Sequence, residues 1–85
     1  MQLTIIDGKK TLFNDEVKAI SGNNKLGKFS LLQDHARFIG IVHGDVEVRR
    51  GRQLTKIDVG YGLVHCKENI VRIFAHLPEL TEAAT

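Results

Sequence analysis

The sequence is poor in the residues that cross-link, bend or stack a small protein. Its 85 residues include one cysteine, one proline and five aromatic residues. A single cysteine cannot form an internal disulfide, so no covalent bridge supports the core, and the composition favours a reducing compartment. A chain of this length buries only about 60–65% of its unfolded surface, which gives a thin stability margin and leaves room for stabilisation by a partner protein.

Long apolar runs and a strong charge of one sign are also missing. No run approaches the roughly 20 apolar residues that cross a bilayer, and the residues after Met1 have neither the basic head nor the apolar stretch of a secretory signal. We therefore expect no targeting segment and no direct insertion into a membrane. The net charge of +2 is a weak field beside that of dedicated nucleic-acid-binding proteins.

The residue groupings that carry catalysis or bind cofactors are absent as well. The four histidines show none of the paired spacings of zinc sites, and glycines form no phosphate-binding loop. His65 and Cys66 are neighbours on a predicted strand and point to opposite faces, so they cannot act together as base and nucleophile. We expect Cys66 to be a buried structural thiol, and we expect no metal, no cofactor and no catalysis by the chain itself.

What the sequence does contain is a series of short runs with period-two patterning and β-branched residues, which indicates an all-β domain. Glycine-containing segments between the runs, among them Gly44–Asp45 and Gly60–Gly62, are predicted hairpin connections. After the last run, Pro78 and the acids that follow suit the first turns of a helix. The predicted strands are Leu3–Ile6, Val17–Ser21, Lys28–Leu32, Phe38–His43, Val46–Arg50, Leu54–Val59, Leu63–Cys66 and Ile70–Ala75, with a further one around Leu12 and Phe13.

Three runs carry large apolar groups on both sides of the strand: Phe38–Val42, Ile70–Ala75 and Leu31–Leu32. A strand with one solvated face should alternate apolar and polar residues. Two interpretations remain open. These strands lie at corners of a sandwich where both faces are internal, or one of their faces binds another protein, because a large uncovered apolar patch is uncommon on a monomer.

The order of motifs along the chain is similar to that of the ATP synthase epsilon subunits. Leu26–Phe38 resembles the family signature L-G-E-F-G-I-L-P-x-H-A-P-L, and Gly44–Val48 resembles its P-G-V-V-R-I strand. Val59–Cys66 followed by Asn69–Ala75 resembles S-G-G-F-V-E-V and then N-x-V-T-V-L-A. The collinear match covers about residues 3–75, although Gln33 and Arg37 replace two common prolines.

This resemblance implies a flattened antiparallel β-sandwich of about eight to ten short strands over residues 1–77. Residues 78–85 would then be the start of a truncated or absent C-terminal helical region. The resemblance further implies a non-catalytic rotor subunit of an F-type ATP synthase, which couples proton or sodium translocation to ATP synthesis or hydrolysis. Its expected location is peripheral, at the cytoplasmic face of a bacterial inner membrane or the plastid equivalent.

Two partners are implied by the same resemblance, the gamma subunit and the c-ring of the membrane sector. The loops expected to face the c-ring contain Asn24, Lys25, Gln33, Asp34, His35 and Arg37. The face expected to bind gamma contains Phe38, Ile41, Ile70, Val71, Ile73 and Phe74.

A rival hypothesis is a small β-barrel that binds nucleic acid through a basic hairpin, Arg49–Lys56. Arg49, Arg50, Arg52 and Lys56 could contact phosphates at its tip. The alternative interpretation of this segment is a solvated turn. Binders of single strands also need aromatic stacking platforms, and four of the five aromatic residues lie in or beside apolar runs that read as core.

Overall fold

A computed structural model describes residues 1–32 and 37–78 of the chain. This part forms strands joined by short turns, without a helix, so the all-β prediction is confirmed. The predicted helical start at 78–85 lies outside the described residues except for Pro78. The strands are β1 (Gln2–Asp7), β2 (Lys10–Glu16), β3 (Ala19–Asn24), β4 (Gly27–Leu32), β5 (Arg37–Arg50), β6 (Gln53–Lys67) and β7 (Ile70–Phe74).

The strands form one continuous hydrogen-bonded ladder in the order β2-β1-β7-β6-β5-β3-β4. Every neighbouring pair is antiparallel except β1 and β7, which run parallel. The antiparallel prediction needs this one correction. A parallel pair requires a crossover connection, and here β2 to β6 together provide it by bringing the chain back beside its first strand.

The hairpin of β5 and β6 is the longest element, with strands of 14 and 15 residues. Gly44–Asp45 and Gly60–Gly62 lie within these strands and not between shorter ones, so the prediction of hairpin connections at both places is wrong. Gly44 and Gly60 oppose one another where the register shifts, and both have positive φ, 80° and 60°. A β-bulge bends and twists its strand, which lets one hairpin serve both layers of the fold.

The ladder folds back on itself into two layers. Phe38 in the first half of β5 stacks on Phe29 of β4 with ring centroids 5.0 Å apart, although β4 and β5 are not neighbours in the ladder. At the far end of β5, Arg50 lies 2.7 Å from Asp15 of β2. These contacts join parts of the sheet that are distant in strand order, and the β-sandwich prediction is confirmed.

Between the layers lies one core built mostly from β-branched side chains. Valine, isoleucine and leucine pack well on a pleated surface that is covered on one side, and burying each such side chain stabilises the fold by about 1.5–3 kcal/mol. The buried residues are Met1, Leu3, Ile5, Val17, Ile20, Leu31, Val42, Val46, Val48, Val59, Val64, Cys66, Val71, Ile73 and Ala75.

Candidate functional site on the outer faces of the sandwich

Strand β7 shows which of its apolar residues face outward. Val71 and Ile73 have no exposed surface and belong to the core, whereas Ile70 and Arg72 are exposed and Phe74 is half-buried. The assignment of Val71 and Ile73 to a gamma-binding face is therefore corrected. Successive residues of a strand point to opposite faces, and β7 lies between β1 and β6 with one face against the core.

Phe38 also points inward. It stands opposite Cys66 in the register of β5 and β6, stacks on Phe29 and packs against the core. Ile41 is three residues away on the same strand and therefore projects from the other face. The assignment of Phe38 to an outer binding face is corrected as well.

Four half-buried apolar residues stand side by side on the outer face of the layer that contains β1 and β7. The register pairs Ile41 with Leu63, Leu63 with Phe74, and Phe74 with Ile6. Directly opposed residues present their side chains on the same face. With strands about 4.8 Å apart, these four residues, here called the apolar row, extend over about 14 Å.

Two strongly exposed apolar residues extend this face beyond the apolar row. Ile39 is 69% exposed and Ile70 is 47% exposed. Ile39 lies two residues from Ile41 on the same side of β5. Ile70 lies four residues from Phe74 on β7 and therefore projects from the same side of that strand. Ile39 could have been found from its alternation with Ile41 in the sequence.

Ile6 and Leu63, the remaining members of the apolar row, were not predicted as site residues. Their place on this face depends on the pairing of β1 with β7 and of β6 with β7. No local pattern in the sequence shows that pairing.

The outer face of the other layer is more polar. There the register places Ser30 beside Ser21, and Glu47 beside Lys56. Leu32 and Leu54 are exposed on this layer, but the register sets Ala19 and Arg49 between them. The two outer faces of the sandwich therefore differ, and among residues 1–32 and 37–78 only the first face presents a contiguous apolar row.

The predicted ring-facing residues occupy separate places. Asn24 and Lys25 form the β3–β4 turn, where the Asn24 Oδ1 accepts a 2.8 Å hydrogen bond from the Leu26 amide. Leu26, which the sequence did not suggest as a site residue, is 98% exposed at this turn. The sequence feature that could have indicated it is a large apolar residue between Lys25 and Gly27 in a predicted turn. Arg37 begins β5 and is exposed, whereas Gln33, Asp34 and His35 lie outside the described residues.

The turn that contains Asn24 and Lys25 lies just before the N-terminal end of β4. Leu32, which leads into residues 33–36, is at the C-terminal end of this strand. A six-residue strand separates these ends by about 17 Å. A partner that contacts both places must therefore follow the length of β4, which is an edge strand of the ladder.

Two of the four cations of the basic hairpin, Arg50 and Lys56, have partners within the protein. The Arg50 Nη1 donates to the Asp15 Oδ2 at 2.7 Å, and its guanidinium lies 5.3 Å from the centroid of the Phe13 ring. Lys56 lies 3.9 Å from Glu47. The hydrogen bond from Arg50, supported by one from the Glu16 amide, lowers the pKa of Asp15. Arg49 and Arg52 remain exposed. None of the five aromatic residues is exposed, so the hairpin offers no platform on which a nucleic-acid base could stack.

Cys66 is buried, with 2% of its surface exposed, and burial raises the pKa of its thiol. The prediction of a buried structural thiol is confirmed, because a protonated and inaccessible sulfur is a poor nucleophile. Within residues 1–32 and 37–78, no three histidine, cysteine, aspartate or glutamate side chains come together as a metal site. The same part of the chain contains no helix that could span a membrane.

Fold and surface define a small β-sandwich domain with one apolar and one more polar outer face. The family model for the β-sandwich domain of the ATP synthase delta/epsilon chain matches residues 1–79. The chain belongs to this family.

Among curated proteins, the chain is similar to ATP synthase epsilon chains. It is 29% identical over 83 residues to that of Leptospira borgpetersenii serovar Hardjo-bovis (strain JB197), with 96% of this chain covered. It is 28% identical over 83 residues to that of Leptospira interrogans serogroup Icterohaemorrhagiae serovar copenhageni (strain Fiocruz L1-130), again with 96% of this chain covered. The chain spans 65% of the length of each of these relatives.

Solved structures with the same fold come from mitochondrial ATP synthases. One is from the OSCP/F1/c-ring structure of Euglena gracilis, with a TM-score of 0.77, 22% identity and coverage of 86% of this chain and 48% of that one. Another is from the central stalk/c-ring structure of Tetrahymena thermophila, with a TM-score of 0.72, 12% identity and coverage of 87% and 61%. At these identities the likeness concerns the fold.

Proposed function

We propose that the chain acts as a non-catalytic rotor subunit of an F-type ATP synthase, in which it binds the gamma subunit and contacts the c-ring. Its location would be the cytoplasmic face of a bacterial inner membrane, attached through these partners. Membership of the ATP synthase delta/epsilon family supports a place in that complex. The difference between the two outer faces supports a role in which another protein covers one of them.

The gamma-binding surface in this proposal is the apolar row together with Ile39 and Ile70. An isolated exposed leucine or isoleucine is normal on a protein surface, but a contiguous apolar patch usually marks an interface. Four adjacent strands contribute to this one. This surface is the single observation that carries the gamma contact.

The ring-facing surface is proposed along the β4 edge. Leu26 at one end of β4 is 98% exposed and Leu32 at the other is 52% exposed, and Lys28 is exposed between them. A protein surface as broad as a ring of loops could follow this edge over its whole length.

Binding to the gamma subunit from the same organism tests the proposal. Ile39→Glu and Ile70→Glu each place a charge in the proposed interface without disturbing the core, since both side chains are already exposed. We expect the dissociation constant, measured by isothermal titration calorimetry, to rise at least about tenfold for each variant, which corresponds to about 1.4 kcal/mol.

Leu54→Glu is the matched control, because Leu54 is 54% exposed on the other layer. It should change the affinity by less than about twofold, a difference under about 0.5 kcal/mol. Equal loss in all three variants, or no loss in the two test variants, would contradict the proposed surface. Absence of any binding between the unchanged chain and gamma at micromolar concentration would contradict the proposed function itself.

A further inference from the structure

The outer face that carries the apolar row also carries an uneven distribution of charge. Two residues from Phe74 along β7 stands Arg72, which the register places beside His65 and Thr4. One further step along the strands, Lys67 stands beside Arg37. Arg37, Lys67 and Arg72 are exposed and lie on one side of the apolar row. They are called the cationic flank below.

Within the cationic flank, two positive side chains oppose one another. Arg37 and Lys67 are direct cross-strand partners, an arrangement of like charges that destabilises a sheet. Among the described residues, no carboxylate lies within ion-pair distance of Arg37, Lys67 or Arg72. An anion supplied by a partner would relieve this repulsion.

A shallow groove of about 160 Å³ lies within this part of the face. It is lined by His65, Lys67, Glu68, Ile70 and Arg72. Its walls therefore combine two full positive charges, one carboxylate and the exposed Ile70. The net positive balance and the size of the groove suit one acidic side chain together with a neighbouring methylene group.

We propose that the gamma subunit, the partner inferred above, places at least one carboxylate against the cationic flank while its apolar side chains cover the apolar row. This inference rests on the proposed function and adds the orientation in which the gamma subunit binds. The cationic flank lies on the side of the apolar row that faces the β6–β7 turn, so an acidic residue on one side of the gamma segment fixes which way that segment lies across the strands.

Charge reversal of the flank tests the inference. Arg72→Glu should weaken binding of the full chain to gamma about tenfold at low salt, a change of about 1.4 kcal/mol, with a smaller effect at high salt because screening reduces the lost attraction. Arg52→Glu is the control, since Arg52 is an exposed cation on the distant hairpin turn, and it should change the affinity less than about twofold. Thermal unfolding of both variants verifies that the fold is retained.

Cross-linking with a carbodiimide gives a second, independent readout. This reagent joins a lysine amine to a carboxylate in direct contact, so Lys67 should be linked to an aspartate or glutamate of gamma in the unchanged complex. Lys67→Arg keeps the charge and removes the reactive amine, and should abolish this link while affinity stays within about twofold. Replacing the linked gamma carboxylate by lysine should restore affinity toward the Arg72→Glu chain.

The outcomes separate the two proposals. If Ile39→Glu weakens gamma binding but Arg72→Glu does not, and no link forms at Lys67, the apolar interface stands and the carboxylate inference is overturned. If the unchanged chain does not bind gamma, the proposed function itself is contradicted. If the chain binds phosphatidylglycerol vesicles and Arg72→Glu removes that binding while gamma affinity is unchanged, the flank recognises anionic lipid and the inference is likewise overturned.

Discussion

Arg50 connects strand β5 to strand β2, and three strands lie between these two in the ladder. Its guanidinium makes a 2.7 Å hydrogen bond to Asp15 and covers the face of Phe13. A cation over an aromatic ring contributes about 0.5–1 kcal/mol at an exposed site. The sequence suggested Arg50 as a phosphate contact, yet its contacts serve the closure of the sandwich.

Asp15→Asn tests this role through pH. The pKa of Asp15 is lowered in the folded chain, so its carboxylate contributes stability that is fully present above about pH 4, the ordinary range of an aspartate, and is lost as pH falls through the lowered value. The difference in urea midpoint between the unchanged chain and Asp15→Asn should therefore be largest near pH 7 and shrink below pH 4. A difference that grows on acidification would contradict this assignment.

At the scale of elements, β7 shows the division between core and surface most clearly. Ile73 has no exposed surface and Ile70 is 47% exposed, although both are isoleucines on one five-residue strand. We expect Ile73→Ala to lower the free energy of unfolding by about 2–5 kcal/mol, because it leaves a cavity in the core.

Ile70→Ala removes the same atoms from a surface position and should cost less than about 1 kcal/mol. Urea unfolding followed by circular dichroism measures both variants. Similar losses in the two variants would show that the alternation along β7 is assigned incorrectly.

The sequence predicted the strands well and their faces poorly. Each predicted run lies largely within an observed strand, because β-branched residues and period-two patterning report local backbone preference. The glycines in Gly44–Asp45 and Gly60–Gly62 led to a wrong prediction of turns, because a glycine with positive φ occurs in β-bulges as well as in turns. A run such as Phe38–Val42, apolar on both sides, gives no local signal of which side faces the core.

The proposed site was accordingly only half predictable. Ile41, Ile70 and Phe74 lie on the outer face, but Val71 and Ile73, equally apolar and on the same strand as two of them, do not. Membership of the apolar row is a property of register across four strands. Register depends on long-range pairing, including the parallel contact of β1 with β7, which no short segment of the sequence encodes.

At the scale of the whole molecule, the sandwich has two unlike outer faces. One combines the apolar row with the cationic flank, and the other alternates serines, charged residues and isolated leucines. A small domain without disulfides gains stability when a partner covers an apolar face, because anything that binds only the folded state shifts the folding equilibrium toward it. We therefore expect the gamma subunit to act both as a partner and as a stabiliser of this chain.

Side-chain footprinting with hydroxyl radicals, with and without gamma, tests the identity of the covered face most directly. Ile39, Leu63, Ile70 and Phe74 should lose reactivity in the complex, while Leu54 on the opposite layer and Leu26 at the β3–β4 turn should keep theirs. Protection of Leu54 with unchanged reactivity at Ile39 and Ile70 would place gamma on the other layer and contradict the account.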